Sequence, residues 1–141
     1  MLYVDGFVVP VPKRKLAEYR RMALKAGKVW REHGALEYRE CVADDVAVGK
    51  RTSFPRSVKL KPGETVVLSW VVYKARAQRD RVTAKVMKDP RLASMMPPNS
   101  VPFDMKRMFL AVSPPSFACR SGSAGPSGAG LRRRVVGRRA F

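Results

Sequence analysis

The spacing of apolar residues changes at about residue 12. Residues 3–11 form an apolar, β-branched run ended by Pro10 and Pro12, which is typical of a strand. Over residues 13–33 the apolar side chains recur at helical spacing, on one stripe made of Leu16, Tyr19, Ala23, Ala26 and Trp30. Gly34 follows at once, where a helix often ends on a left-handed residue. The pattern predicts a strand followed by a helix.

The same order returns further along the chain. Residues 36–42 predict a strand of mixed polarity, and a long connection covers residues 44–64. Residues 65–73 are the strongest strand pattern, and a second helix is predicted over residues 76–88. A last strand is expected near residues 107–109. The order β-α-β, β-α-β predicts an α+β fold, a ferredoxin-like βαββαβ sandwich with two helices on one face of a four-stranded antiparallel sheet.

The strand predicted over residues 65–73 is apolar on both faces. Its alternating side chains are Val66, Leu68, Trp70 and Val72 on one face, and Val67, Val71 and Tyr73 on the other. Two helices can cover only one face of the sheet, so the second face needs a cover of its own. A second copy of the same sheet provides one, and we expect a homodimer.

The composition of the chain changes at about residue 110. All 11 acidic residues lie before it, whereas the remainder is rich in Ser, Gly and Arg. Such a segment has too little apolar surface to offset the entropy of ordering. We predict one domain over residues 1–110 and a disordered basic tail over residues 111–141.

The net charge of +18 is high for 141 residues, and most of it belongs to the predicted domain. Such a charge suits nucleic acid, anionic substrates or acidic partners, and does not choose among them. Two cysteines make no disulfide framework and suit a reducing cytosol. No signal-peptide pattern and no apolar stretch long enough for a bilayer is present, so we expect a cytoplasmic protein without membrane attachment.

Few residues have the chemistry of a catalytic centre. His33 is the only histidine, and neither a nucleophile elbow nor a zinc-binding spacing occurs, so we expect no metal and no cofactor. His33 stands at the end of the first predicted helix, where a cation interacts favourably with the helix dipole. The alternative is a role as acid or base, for which Asp5 and Glu37 are the other candidates.

Several strand and helix residues are candidates for a ligand cavity. Arg39 and Ser69 are polar positions on apolar strands, as are Asp5 and Glu37, and some of these side chains can point into a cavity. Trp30 and Trp70 are the aromatic candidates for its lining. The alternatives are ion pairs at the surface or an interface for the polar residues, and core packing for the tryptophans.

A basic stretch lies in the long connection. Lys50, Arg51 and Arg56 are the candidates for binding an anion, and Lys59 and Lys61 follow them. The alternative is a solvated loop, since only Phe54 is available there to stack on a base. We therefore expect any nucleic-acid binding to be weak and sensitive to salt.

Specific segments resemble one protein family. They include Tyr-Val-Asp-Gly-Phe-Val-Val-Pro-Val-Pro from residue 3, Gly-Lys-Val-Trp-Arg-Glu-His-Gly from residue 27, Glu-Cys-Val-Ala-Asp-Asp-Val from residue 40, Thr-Ser-Phe-Pro from residue 52, Ala-Lys-Val-Met-Lys-Asp-Pro-Arg from residue 84, and Met95-Met96 followed by Pro102-Phe103-Asp104. Together they resemble the YbaA-like bacterial family called domain of unknown function 1428, and the resemblance covers residues 2–109.

The resemblance implies the dimeric α/β-barrel superfold, in which two ferredoxin-like sheets close face to face. The family has no established activity. Proteins of the same superfold include cofactor-free monooxygenases, haem-degrading enzymes, isomerases and ligand binders, which is an analogy of fold alone.

The chain departs from the family after Phe109. The family pattern calls for a last strand of the type Phe-Gly-Gly-Phe-x-Pro-Ile-Val. If one nucleotide was lost in the codon after Phe109, restoring it regroups residues 111–117 into codons compatible with Gly-Gly-Phe-Ala-Pro-Ile-Val. We therefore predict that the tail is out-of-frame sequence. The alternative is a genuine basic tail that binds nucleic acid through arginine–phosphate contacts.

These observations predict a small homodimer that binds or transforms a small, mostly apolar ligand in a barrel pocket. One alternative is a cofactor-free monooxygenase or isomerase, and another is a nucleic-acid-binding accessory protein. An enzyme needs a water-excluded cavity with convergent polar groups, whereas a nucleic-acid binder needs its charge on one exposed face.

Overall fold

The computed structural model describes residues 1–97 and 100–113. The elements follow in the predicted order, with two short helices added to it. They are β1 (Tyr3–Pro12), a 3-10 turn (Lys13–Lys15), α1 (Leu16–Glu32), β2 (Glu37–Val42), α2 (Phe54–Ser57), β3 (Glu64–Tyr73), α3 (Arg76–Val86), α4 (Pro90–Met95) and β4 (Phe109–Ser113).

The four strands form one antiparallel sheet in the order β2-β3-β1-β4. β1 and β3 pair along their whole lengths, from Tyr3 opposite Tyr73 to Pro12 opposite Glu64. β2 pairs only with β3, and β4 only with β1, so these two strands are the edges. This is the ferredoxin-like arrangement, and it confirms the predicted α+β fold.

The core lies between the sheet and the helices. Val9, Val11 and Val67 pack against Tyr19 and Ala23 of α1. A second part of the core joins α1, β3, α3 and α4 through Val29, Val71, Tyr73, Val82, Val86 and Leu92. Val9 and Val11 of β1 and the residues Val67, Val71 and Tyr73 of β3 face the helices and are almost fully removed from water, which favours folding.

α1 ends at a glycine in the left-handed conformation, as the sequence predicted. Gly34 has a φ of 113°, its N–H donates to Arg31 O at 3.1 Å, and the N–H of Ala35 donates to Trp30 O at 3.0 Å. These two bonds satisfy carbonyls that the helix leaves open at its end. The chain can then turn directly into β2.

The opposite face of the sheet is only partly covered. Val58, from the long connection, packs against Val8 and Val66 at one end of this face. Trp70 is only half-buried, and Phe109 is 41% exposed. The alternation predicted for β3 is therefore present, with one side under the helices and the other incompletely covered.

The second half of the chain differs from the expected boundaries. The predicted helix over residues 76–88 ends at Val86, and α4 begins at Pro90 because the Asp89 carboxylate accepts the N–H of Arg91 at 2.9 Å and caps a new helix. β4 runs over Phe109–Ser113, so it starts within the expected residues 107–109, but it extends past residue 110 into the segment predicted as tail.

Arg107 connects the segment before β4 to β3 through ion pairs. Its guanidinium donates to the two carboxylate oxygens of Glu64 at 2.6 and 2.8 Å, and to Asp104 at 2.8 Å. The predicted tail lies, from residue 114 onward, outside the described residues. Among the residues that are described, no helix is long and apolar enough to cross a bilayer.

Candidate functional site

A cavity of about 140 Å³ lies between the helices and the sheet. Its lining is mostly aromatic and methionine side chains: Phe7, Val9, Tyr19, Met22, Ala26, Trp30, Tyr38, Val71, Leu92, Met95, Met96, Phe103 and Met108. Two further lining residues, Glu40 and Ser69, are polar and stand on neighbouring strands. An apolar cavity with a few converging polar groups is the usual form of a small-molecule site.

The Glu40 carboxylate is held by two phenols. Tyr38 donates to Glu40 Oε1 at 2.7 Å, and Tyr19 donates to Glu40 Oε2 at 2.8 Å. Burial raises the pKa of Glu40 above its ordinary value, although the hydrogen bonds from the tyrosines act in the opposite direction. Burial and the nearby Glu40 charge also raise the pKa of both tyrosines, so both remain protonated donors.

Strand geometry places these groups together. Tyr38 and Glu40 are two residues apart on β2, so their side chains share a face of the sheet. Glu40 lies opposite Ser69 of β3, which is only 4% exposed. Tyr19 reaches Glu40 from α1, on the layer above. Helix and edge strand therefore enclose one carboxylate between them.

Gly27 allows α1 to approach β2 closely. A Cβ atom at this position would lie 2.8 Å from Cδ1 of Tyr38, which is closer than a side chain tolerates. Glycine weakens a helix interior, so its presence in α1 has a cost that the contact offsets. The close approach brings the Tyr38 ring between α1 and the cavity.

The arrangement can orient a guest and exchange a proton with it. Each Glu40 oxygen accepts one bond from a tyrosine and retains a further lone pair for a donor on a ligand. A carboxyl with a raised pKa changes charge nearer to neutral pH, which suits a general acid or base. The surrounding apolar side chains strengthen any such contact, because they lower the local dielectric.

A second, larger depression of about 800 Å³ runs along the outer side of α1, beside the edge strand β2. Tyr19, Tyr38 and Glu40 line both this groove and the inner cavity. The hydrogen-bonded cluster is thus the wall between the two spaces.

The three residues predicted as catalytic candidates lie apart from one another. His33 Nε2 is 2.8 Å from Asp89 Oδ2, beside the start of α4. Asp5 is 4% exposed and accepts bonds from Arg79 Nε at 3.0 and 3.2 Å. Glu37 accepts the indole N–H of Trp70 at 3.0 Å, on the side of the sheet away from the helices. Burial raises the pKa of Tyr73, which contacts Asp5, to about 12.

The four predicted ligand-binding residues divide between the two faces of the sheet. Trp30 and Ser69 line the inner cavity, and the Trp30 indole N–H donates to Tyr73 at 3.1 Å. Arg39 and Trp70 lie opposite each other on the face away from the helices. Arg39 Nε donates to Glu37 Oε1 at 3.2 Å there. The structure therefore brings only Trp30 and Ser69 to the cavity.

The three candidates for anion binding lie in the connection between β2 and β3. Lys50 and Arg51 are exposed. Arg56 is also exposed, but its Nε donates to the carbonyls of Val48 at 3.1 Å and Gly49 at 2.7 Å, so it also holds the loop together. Binding of an anion or of nucleic acid by this loop stays a prediction.

Sequence reasoning missed Glu40, Tyr19 and Tyr38. Helical spacing places Tyr19 on the core stripe of α1, and the mixed polarity of β2 does not by itself single out Tyr38 or Glu40. A signal was present, since Tyr38 and Glu40 alternate onto one face of a strand whose neighbour carries Ser69. Which residue stands opposite which depends on strand register, and the spacing of residues does not specify it.

No group of three His, Cys, Asp or Glu side chains suitable for a metal ion occurs in the described part of the chain. The comparison with family models identifies residues 2–105 with the protein of unknown function family DUF1428. The chain belongs to the DUF1428 family. It is also 48% identical to the uncharacterized protein YbaA of Escherichia coli K12 over 108 residues, which cover 77% of this chain and 91% of YbaA.

Solved structures with a similar fold have little sequence similarity to this DUF1428 protein. An uncharacterized NIPSNAP domain protein from Burkholderia xenovorans has a TM-score of 0.55 and 18% identity, with 84% of this chain and 98% of that chain covered. A NIPSNAP-like domain protein from the same organism has a TM-score of 0.53 and 15% identity, with 84% and 89% covered. At this identity the similarity concerns the fold alone.

Proposed function

We propose that this protein binds a small, mostly apolar molecule carrying one hydrogen-bond donor in the cavity between the helices and the sheet. The observation that carries the proposal is the Glu40 carboxylate, which stands with Tyr19 and Tyr38 on the wall of an otherwise apolar cavity. Glu40 is half-buried, and removing a carboxylate from water is costly unless its oxygens are hydrogen-bonded. A donor on the guest completes its hydrogen bonding.

The size and lining of the cavity limit the guest. An apolar cavity of about 150 Å³ accepts benzene, so about 140 Å³ suits a single aromatic ring or a short branched chain. Four of the lining residues are methionines, whose flexible side chains adapt to guests of somewhat different shape. Phe7, Trp30 and Phe103 add ring surfaces on which an aromatic guest can stack.

We also propose that two copies of the chain associate through the face of the sheet away from the helices. Support comes from the half-buried Trp70 and Val72 of the inner strand β3, and from Phe109 of the edge strand β4, which is 41% exposed. Exposed apolar surface of this kind is typical of an interface. Face-to-face packing of two sheets would bury it in both copies.

A titration with phenol tests the ligand proposal. Phenol has one ring and one O–H donor, and its binding should shift the NMR signal of the Trp30 indole, which lines the cavity. The Trp70 indole lies on the opposite face and should not respond. The substitution Ala26→Leu fills the cavity and should abolish the shift, whereas Ala17→Leu, at an exposed position of the same helix, should leave it unchanged.

The role of Glu40 is tested by comparing phenol with benzene, which lacks the donor. Glu40→Gln should weaken the binding of phenol by about tenfold, which is the size expected for a hydrogen bond to a charged group. The binding of benzene should not change. Phenol binding that survives Ala26→Leu, or that moves only the Trp70 signal, would refute the proposal.

Proton transfer is a second candidate function, favoured by the raised pKa of Glu40 beside the cavity. A carboxylate in this position can remove a proton from the carbon next to a carbonyl, as an isomerase does. Acetophenone is small enough to serve as the probe, with exchange of its methyl protons in deuterated water followed by NMR. The protein should accelerate the exchange, and Glu40→Gln should remove the acceleration. Equal rates with and without protein would exclude this function for acetophenone-like ketones.

A further inference from the structure

The outer groove continues from the cluster that closes the inner cavity. Its α1 side consists of residues three or four apart, so a single face of the helix lines it. These residues are Leu16, Tyr19, Arg20, Ala23, Leu24, Gly27, Lys28 and Arg31, and β2 supplies Glu37, Tyr38, Arg39, Glu40 and Val42. Leu24 is 67% exposed and Val42 is 46% exposed, so apolar surface remains open to solvent there.

Positive charge dominates the α1 side of this groove. Arg20, Lys28 and Arg31 all line it, whereas no acidic residue of α1 does. Among the described residues, Arg20 and Arg31 take part in no ion pair, and Lys28 makes only a long contact of 3.9 Å with Glu32. A groove lined by one sign of charge attracts ligands of the other sign.

The groove as a whole keeps an excess of positive charge. β2 adds Arg39 beside its two carboxylates, so four cations line the groove against two carboxylates. Glu37 already accepts bonds from Arg39 and from the Trp70 indole. Glu40 accepts bonds from Tyr19 and Tyr38. The groove therefore has a positive side over an apolar floor.

We propose that the ligand of this protein is an amphiphile with an anionic end, whose apolar ring or chain enters the cavity past Glu40 while its anionic group stays in the groove beside Arg20, Lys28 and Arg31. The inference rests on the proposed binding function of the cavity and adds the charge of the ligand and its direction of entry. The shared wall of Tyr19, Tyr38 and Glu40 is the point of passage, where a donor on the ligand bonds to a lone pair of Glu40 that the tyrosines leave free.

Two probes of the same shape distinguish the charge from the ring. Ortho-hydroxyphenylpropionate carries a phenol ring and a carboxylate on a short arm, and its primary amide carries no charge. Binding of each is followed by the NMR shifts of the Trp30 and Trp70 indoles. The carboxylate should bind more tightly than the amide. Raising the salt concentration should weaken the binding of the carboxylate but not that of the amide, because salt screens exposed charges.

Substitutions along α1 identify the cations involved. Each of three single substitutions should weaken binding of the carboxylate probe about two- to fivefold, as expected for exposed charge pairs: Arg20→Gln, Lys28→Gln and Arg31→Gln. Binding of the amide probe should not change. Arg21→Gln, at an exposed position of α1 outside the groove, is the matched control and should affect neither probe.

The outcomes separate this inference from the function on which it rests. If both probes bind with equal affinity and none of the three substitutions changes it, the cavity binds ligands, but the proposal that the ligand has an anionic end is refuted. If neither probe nor phenol binds, the binding function itself fails. If the Arg21→Gln control weakens the carboxylate as much as the groove variants do, the effect is one of overall charge, and the proposed place of the anionic group is wrong.

Discussion

At the scale of single residues, the burial of one carboxylate decides the chemistry of the cavity. Glu40 lies in a region that favours its neutral form, while two phenols stabilise its charged form. Burial has the larger effect, so the pKa of Glu40 is raised. The Asp5 carboxylate is more deeply buried than Glu40, but it has the Arg79 guanidinium beside it and is paired within the core.

Glu40 should make the stability of the protein depend on pH. A carboxyl with a raised folded-state pKa binds a proton more readily in the folded state, so its contribution is fully present below about pH 4.5 and is lost as the pH rises through the folded value. Glu40→Gln should therefore flatten the fall in unfolding free energy above pH 4.5. One such group contributes at most about 1.4 kcal/mol per pH unit.

Urea unfolding at a series of pH values measures this slope. The exposed Glu18→Gln variant, on α1, is the control and should keep the slope of the wild type. A slope that Glu40→Gln leaves unchanged would show that the carboxyl has its ordinary pKa.

At the scale of elements, the distance between α1 and β2 determines the shape of the site. α1 supplies Tyr19 and one side of the groove, and β2 supplies Tyr38 and Glu40. Trp30 and Tyr38 also meet across this contact, with ring centroids 6.1 Å apart. Gly27 lies where the two elements approach most closely to the Tyr38 ring.

Gly27→Ala should destabilise the protein in spite of the better helix propensity of alanine. Propensity alone predicts a gain of about 1 kcal/mol. The new Cβ would lie 2.8 Å from the Tyr38 ring, so either the helix or the ring has to move, and we expect a net loss of about 1 kcal/mol or more in the unfolding free energy. Chemical denaturation measures it.

The double variant Gly27→Ala/Tyr38→Val removes the ring that causes the clash. The double variant should lose less unfolding free energy than the two single variants together, because without the Tyr38 ring the new Cβ meets no clash. Simple additivity would contradict a clash at this contact.

The hypothesis of a lost nucleotide after Phe109 concerns the sequence of β4. It pairs with β1 over five residues, from Val8 opposite Phe109 to Val4 opposite Ser113. Inserting one nucleotide in the codon after Phe109 should restore the family pattern in this strand and its continuation. We expect a rise in melting temperature of about 4 °C or more, equivalent to about 1 kcal/mol. An unchanged or lower melting temperature would count against the out-of-frame origin of the tail.

At the scale of the whole molecule, one face of the sheet is covered by helices and the other is only partly covered. The helices bury Val67, Val71 and Tyr73 on one side of β3. On the other side Val58 covers only one end, and Trp70 stays half-buried. An apolar sheet face left open in a single chain favours association with a second copy.

Trp70→Glu should convert the proposed dimer into a folded monomer. The charge would be buried without a partner in the dimer, but can stay solvated in the monomer, where the position is half-exposed. Sedimentation at micromolar concentration measures the mass, and circular dichroism shows whether the variant is folded. Met87→Glu is the control, because Met87 is 67% exposed at the end of α3 and away from this face. A wild-type protein that sediments as a monomer would overturn the dimer.

The sequence by itself determined the order of the strands and helices, the left-handed end of α1 at Gly34 and the two apolar faces of β3. These features depend on periodicity and on residues next to one another, so local patterns predict them. α4 shows the limit of this reasoning. The helical spacing continues through residue 88 and predicts one helix, but the Asp89 carboxylate caps a second helix that begins at Pro90.

Only the tertiary structure decided which polar residues meet. Tyr19 reaches Glu40 across 21 positions of sequence, and Arg79 reaches Asp5 across 74. Strand register set Glu40 opposite Ser69, and helix packing brought Tyr19 above both, whereas Glu37 was placed on the other face. The physical reason is that register and packing minimise the free energy of the whole core at once, so contacts between distant residues have no local pattern in the sequence.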